Sequence, residues 1–346
     1  MNIRNPLIAA SLTLTALLSA HEGDGVAPVK FSPVVAATPE SQAVIADGEL
    51  KFVTDPGWGA LPNNEAPGST HGGVARDKAG NVYLSTDGEK GIIVFNADGT
   101  FKKSIAKEFR SIHGLNLREE KGEEFLYAAW LGGGHALKLK LDGTVALKIP
   151  CPMESGKYKD PGQFKVTGVD AAPDGSIFVT DGYGTNWIHK FDATGKYLLS
   201  FGGPGKENGK FSTPHGIGID LRGEKPLLLV ADRANGRLQH HDLEGNYVAT
   251  ISTGLRAPCA VAFEGKMVVV PELQGRVTIL NGENIKVAHL GTNPVKGESG
   301  NFGVPPEKWD PTYFTAPHGA CWDGNGGVIV QDWNKTGRVR RLKPAK

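Results

Sequence analysis

An excess of charge of either sign is missing from this chain: 38 Lys and Arg stand against 37 Asp and Glu in 346 residues. Near neutrality leaves no electrostatic footprint for nucleic acid or for an anionic membrane surface. Cysteine is scarce as well. The three residues Cys151, Cys259 and Cys321 cannot make a disulfide framework, and at most one bridge is available to them. Cys321 falls inside an apolar run, where it reads as a small buried hydrophobe. No apolar stretch is long enough to span a bilayer comfortably, and no window carries a helical period that rivals the short strand-like runs described below. What is abundant is turn chemistry, 47 glycines and 22 prolines, as a fold with many tight connections requires.

Residues 1–20 read as a targeting segment, with Arg4 as the positive end, an uncharged apolar stretch over 7–18 and a small residue, Ala20, before the cut. Residues 21–48 read as a linker, and 49–346 as one domain. An exported protein, secreted or periplasmic, is the expectation.

Six short apolar strands open on the same kind of turn, and four of the six openings begin with histidine. They are His71-Gly-Gly-Val-Ala, His113-Gly-Leu-Asn-Leu, Thr167-Gly-Val-Asp-Ala, His215-Gly-Ile-Gly-Ile, Cys259-Ala-Val-Ala-Phe and His318-Gly-Ala-Cys-Trp, spaced by 42, 54, 48, 44 and 59 residues. A second and then a third apolar run follows each opening, with hairpin signals such as Ala97-Asp98-Gly99 and Leu141-Asp142-Gly143 after the third. A strand-built repeat of about 40 to 50 residues is the period of a propeller blade. The prediction is an all-β, six-bladed β-propeller. Its last blade lacks a fourth strand at the C-terminal end, so Glu49–Val53 is expected to supply it and remove the open edge.

In a propeller the innermost strands line the axis, so the openings form a ring. His113, His215 and His318 come from alternate blades, about 120° apart in a sixfold ring, and their imidazoles converge. Three histidines leave a fourth position open, the arrangement of a catalytic zinc or another divalent metal rather than of a closed structural one. The alternative is that each histidine caps its own strand. His71 and Cys259 share the ring; a fourth imidazole would close the metal to substrate, so His71 reads as an outer donor, a substrate contact or a bystander, and Cys259 either as one of these or as a thiolate ligand. The turns after the second strands bring Tyr183, Arg233, Glu272 and Trp333 to one mouth of the channel. Tyr183 could act as a base if a metal and Arg233 lower its pKa, a change of about 4 kcal/mol from 10 toward neutrality. Scaffold roles for Arg233 and Tyr183 are the competing reading.

The blade pattern resembles NHL-repeat propellers over nearly all of residues 50–346. The ordered set Ile112-His113-Gly114-Leu115, Asp181-Gly182-Tyr183, Phe211-Ser-Thr-Pro214-His215, Ala231-Asp232-Arg233-Ala-Asn-Gly236-Arg237 and Pro317-His318 is similar to peptidyl-α-hydroxyglycine α-amidating lyase. That resemblance implies a zinc on the three histidines, Tyr183 and Arg233 acting at the hydroxylated carbon, a small-molecule or peptide substrate, and a peptide amide and glyoxylate as products. Three positions depart from the family. Gly319 stands where an Asp helps hold a structural calcium, the first blade has no substrate-binding Arg around Thr86-Asp87-Gly88-Glu89, and Gly184 replaces a cysteine. The departures point to a different substrate. A non-catalytic propeller that binds a protein or glycan partner through its loops is the alternative function.

Overall fold

The structure is a computed structural model that describes residues 41–345. The expected targeting segment and the linker up to residue 40 lie outside the described residues. Six antiparallel sheets follow one another along the chain as the blades of a β-propeller. Blade 1 is built from Val74–Arg76, Val82–Ser85, Ile92–Phe95 and Phe101–Ile105, and blade 2 from Ile112–Glu120, Glu123–Trp130, His135–Lys140 and Val145–Ile149. Blade 3 uses Gly168–Ala171, Ile177–Thr180, Trp187–Phe191 and Tyr197–Gly202; blade 4 uses Pro214–Asp220, Leu227–Asp232, Arg237–His241 and Tyr247–Ser252. Blade 5 consists of Ala262–Glu264, Met267–Glu272, Arg276–Leu280 and Lys286–Leu290.

Blade 6 takes Pro317–Trp322, Val328–Asp332 and Arg338–Pro344 from the C-terminal part of the chain and is completed from the N-terminal part. The strand Leu50–Thr54 pairs with Arg338–Pro344 in the register Phe52↔Pro344, Val53↔Lys343 and Thr54↔Leu342. The expected closing strand is therefore present, displaced by one residue. A fifth strand, Val44–Asp47, pairs outside it, so the expected linker is corrected at its last residues. Ile45 of that strand is buried and packs with Phe52, Ala288 and Leu290, and the Asp47 carboxylate accepts the His289 amide at 2.7 Å. Apolar contact with blade 5 is what makes a strand of this short run.

The second and third strands of each blade are covered on both faces by neighbouring blades, which is why their sequences are continuous apolar runs rather than alternating ones. Phe125 and Tyr127 of blade 2, for example, pack against Val169, Val179 and Phe191 of blade 3 and against Phe164 of the connection. The outer hairpins share one device. Asp98, Asp142, Asp192 and Asp242 each accept the backbone amide two residues on, at 2.8–2.9 Å, as Asx turns do.

Around the axis the inner strands approach so closely that the residue after each ring position must be small. A Cβ at Gly114 would stand 2.6 Å from the Thr167 carbonyl oxygen, one at Gly216 2.5 Å from that of Cys259, and one at Gly319 2.5 Å from that of Gly72. The repeated His-Gly is thus a packing requirement. An aspartate at 319 has no room here, which removes the calcium-binding side chain that the family resemblance carries.

Candidate metal and catalytic site

The glycine-permitted approach has a chemical consequence. His113 Nδ1 lies 2.7 Å from the Thr167 carbonyl oxygen, His215 Nδ1 2.6 Å from that of Cys259, and His318 Nδ1 3.2 Å from that of Gly72. Each histidine thus reaches across to the next inner strand. A carbonyl only accepts, so each Nδ1 carries the hydrogen, and in a neutral imidazole Nε2 then keeps the lone pair. Burial favours the neutral form, holding His215 and His318 well below the usual histidine range, with the Arg233 cation adding to the effect at both. The ring centroids of His113, His215 and His318 form a near-equilateral triangle with sides of 4.6, 4.8 and 4.8 Å.

Among the described residues, two groups of donors are compact enough for a metal ion: His71, His113 and His318, and His215, Cys259 and His318, each with donor atoms within 4.8 Å of one another. His318 belongs to both, whereas His113 and His215, expected to share one ion with it, fall in different groups. The Nε2 of His318 is buried and has no hydrogen-bond partner.

On the mouth side the Tyr183 hydroxyl lies 3.1 Å from His215 Nε2, 3.2 Å from His113 Nε2 and 3.3 Å from His71 Nε2. Arg233 Nη1 donates to the same oxygen at 2.8 Å, and its guanidinium sits 4.9 Å from the Tyr183 ring centre. Burial pushes the phenol up to about 12, against the opposing pull of Arg233. The guanidinium alone does not bring the tyrosine toward neutrality. His71 stands between Tyr183 and Trp333, at ring distances of 6.1 and 5.5 Å, and touches the rings of His113 and His318 at 4.6 and 4.8 Å. Away from the mouth the ring residues line a cavity of about 30 Å³, below which Asn116 donates to the Val169 and Ile217 carbonyls and a cavity of about 190 Å³ follows.

The mouth residues stand on turns that are tied down by a buried acid at the end of each second strand. Asp181 accepts from the amides of Lys165 and Thr185 and from Tyr158 Oη. Asp232 accepts from the Ser212 amide, Asn235 and Arg237. The partner of Asp232 is therefore Arg237, which leaves Arg233 for Tyr183. Asp332 accepts from the Ala316 amide and from Arg338. Glu272 is the blade 5 member of this set, accepting from Arg276 Nε at 2.7 Å, from Thr278 and from the Arg256 amide. This corrects its expected place at the mouth: Glu272 is the anchor of its turn, and Leu273 follows it where Arg233 and Trp333 follow Asp232 and Asp332.

The acid anchors were open to sequence reading, because each closes a second strand. So was Asp87, which accepts from Ser69 Oγ at 2.5 Å and acts electrostatically on Tyr183. It is an acid in the stretch where the family resemblance leads one to look for an arginine. All three cysteines are buried and unpaired.

Fold and channel define the class: a six-bladed propeller whose axis is lined by histidines from separate blades. The chain is similar to peptidylglycine alpha-amidating monooxygenase of Rattus norvegicus, 38% identical over 167 residues, which is 46% of this chain and 16% of the relative. It is also 39% identical over 77 residues to a probable peptidyl-alpha-hydroxyglycine alpha-amidating lyase of Caenorhabditis elegans, 22% of this chain and 21% of that protein. The chain thus covers about a fifth or less of the curated relatives it matches. No family model matches it. Among solved structures, a gluconolactonase from Xanthomonas campestris superposes with a TM-score of 0.59 at 12% identity over 91% of this chain and 98% of that one. Virginiamycin B lyase from Staphylococcus aureus gives 0.53 at 15% over 83% and 98%. At these identities the likeness is one of fold. No helix among the described residues is long and apolar enough to cross a membrane.

Proposed function

We propose that the protein is a metal-dependent carbon–nitrogen lyase that cleaves a carbinolamide, R–CO–NH–CH(OH)–R′, to an amide and an aldehyde. The observation that carries this is that His113, His215 and His318 each spend Nδ1 on a carbonyl, with His318 Nε2 buried and unpartnered. A buried lone pair on His318 Nε2 that no donor meets is unfavourable unless a cation answers it. His113, His215 and His318 would hold a divalent ion, zinc by the nature of the donors. Bound there, such an ion supplies Lewis acidity toward the substrate hydroxyl.

The rest falls to the chain's own side chains. The substrate enters from the mouth, where Tyr183 and Arg233 stand, because Asn116 bridges the opposite side. Tyr183, as the phenolate that a bound dication together with Arg233 would stabilise against burial, takes the hydroxyl proton, and the O–H electrons form the new C=O bond. The C–N bond breaks, its electron pair goes to nitrogen, and a proton returned to nitrogen completes the amide. Arg233, donating to Tyr183 Oη, steadies the phenolate. His71 and Trp333 wall the mouth beside Tyr183, where they can touch substrate. Residues 1–20 support export, so we place the protein outside the cytoplasm.

Metal analysis of the purified protein with a glyoxylate assay on an α-hydroxyglycine peptide is the test. Wild type should carry one ion per chain and release glyoxylate. Alanine at His113, His215 or His318 should strip the ion while the blades still fold, and His71→Ala should weaken it less. Equal loss in His71→Ala and His215→Ala would overturn the three-histidine assignment. A fully loaded wild type that releases no glyoxylate would overturn this substrate class and favour a binding propeller.

A further inference from the structure

Cys259 opens the innermost strand of blade 5 and stands in the ring between His215 and His318. Its side chain is buried, and the donor atoms of His215, Cys259 and His318 lie within 4.8 Å of one another. His318, whose Nε2 has no partner, therefore faces a sulfur as well as the imidazoles of His71, His113 and His215. Cys259 Sγ has a weak contact of 3.5 Å to the Ala257 carbonyl, and the Arg233 guanidinium lies beside it.

Charge decides what that sulfur does. A dication held by neutral imidazoles alone, next to Arg233, would place three positive charges in a buried site, at a high desolvation cost. The acid nearest in sequence on that blade, Glu272, is taken up by Arg276 and Thr278. A thiolate is the anion the inner ring itself can offer. His71, the other side chain flanking His318, sits partly exposed among the aromatic residues of the mouth.

We propose that Cys259, as a thiolate, is a protein ligand of the metal centre together with His113, His215 and His318. This rests on the metal site of the preceding section and sharpens it. Binding of the ion releases the thiol proton to solvent. The donor set of one sulfur and three imidazole nitrogens selects zinc, cobalt or copper over magnesium, calcium or manganese. With Cys259 beside the three histidines, such an ion would supply Lewis acidity to the substrate hydroxyl only by accepting a further donor, as zinc sites can. Arg233 spans the two reactive groups, beside the sulfur and bonded to the Tyr183 oxygen.

Cobalt(II) loaded into metal-free protein reads the ligand set without any substrate. Wild type should bind one cobalt per chain and show an intense near-ultraviolet band from thiolate-to-cobalt charge transfer. Cys259→Ser should lose the band, as should a Cys259→Ala control, whereas His71→Ala and Cys321→Ser should keep it. Removing even a group that only orients a ligand costs about 10- to 100-fold in affinity, so Cys259→Ser should bind cobalt at least about tenfold more weakly. One cobalt per wild-type chain without the band would overturn the thiolate assignment and leave the histidine centre standing. Failure of wild type to bind cobalt or zinc at all would overturn both.

Discussion

One hydroxyl, that of Tyr183, faces three imidazole nitrogens and one guanidinium. It has a single hydrogen to give, and in the metal-free protein burial pushes its pKa up to about 12, so the base form depends on the cation beside it. A residue so placed gains little as scaffold, since the turn beneath it is already fixed by Asp181 and its four donors. Tyr183→Phe should therefore leave folding and metal content intact while turnover falls by two orders of magnitude or more, as general-base loss does. Metal per chain and initial rates on the two proteins check this, and a loss below fivefold would assign the tyrosine to the wall rather than to the chemistry. The opposite lesson comes from Glu272. In sequence it closes its strand as Asp232 does, and nothing in a strand period tells an anchoring acid from a mouth residue one position on. The difference lies in where Arg276 and Thr278 reach, which is a fact of packing.

At the scale of the strand, Leu50–Thr54 and Val44–Asp47 join the two ends of the chain in one sheet. Phe52 and Ile45 are both buried there, each worth about 1.5 to 3 kcal/mol of transfer free energy. Truncation before residue 42 should cost little stability. Removal through residue 48 should cost about 2 kcal/mol, and through residue 55 roughly twice that, with loss of the ladder to Arg338–Pro344. Urea unfolding of the three truncated proteins gives the comparison, and midpoints that coincide would show that the ring holds without these strands. The period, the inner ring and the closing strand were legible because each repeats a pattern set by backbone geometry. Val44–Asp47 was not, because Val-Ile-Ala-Asp continues the Ala- and Val-rich composition before it, and becomes a strand only through contact with blade 5. Cys321 in its strand was legible from its apolar neighbours. The partner of Asp232, Arg237 rather than Arg233, was not, because both arginines stand within five residues of it.

Taken whole, the molecule keeps histidines neutral inside a largely apolar ring. His189 is buried between Tyr158 Oη at 2.6 Å and Ser200 Oγ at 2.8 Å. Burial first, and Lys157 second, push it from 6.5 down to about 3. Between those two values the unfolded chain takes up a proton that the folded one refuses. Its contribution to stability is present above about pH 6.5 and is lost as pH falls toward 3, at up to about 1.4 kcal/mol per unit. Metal-free protein unfolded in urea at pH 7, 5.5 and 4.5 should lose stability in that order, and His189→Gln should flatten the slope. An unchanged slope in the variant would move the acid sensitivity to other groups.

The hydrogen bond from His318 to the Gly72 carbonyl joins residues 246 positions apart. It crosses the seam between the last blade and the first, so the donor cluster is no property of any blade alone. During synthesis the first three histidines of the ring leave the ribosome well before the fourth, and until the seam shuts they are scattered imidazoles with no common focus. Capture of the proposed ion would then be a late event in the life of the chain. Loaded protein, in turn, is protein whose ring has closed, which makes the ion a certificate of assembly that a cell could read as resistance to proteolysis.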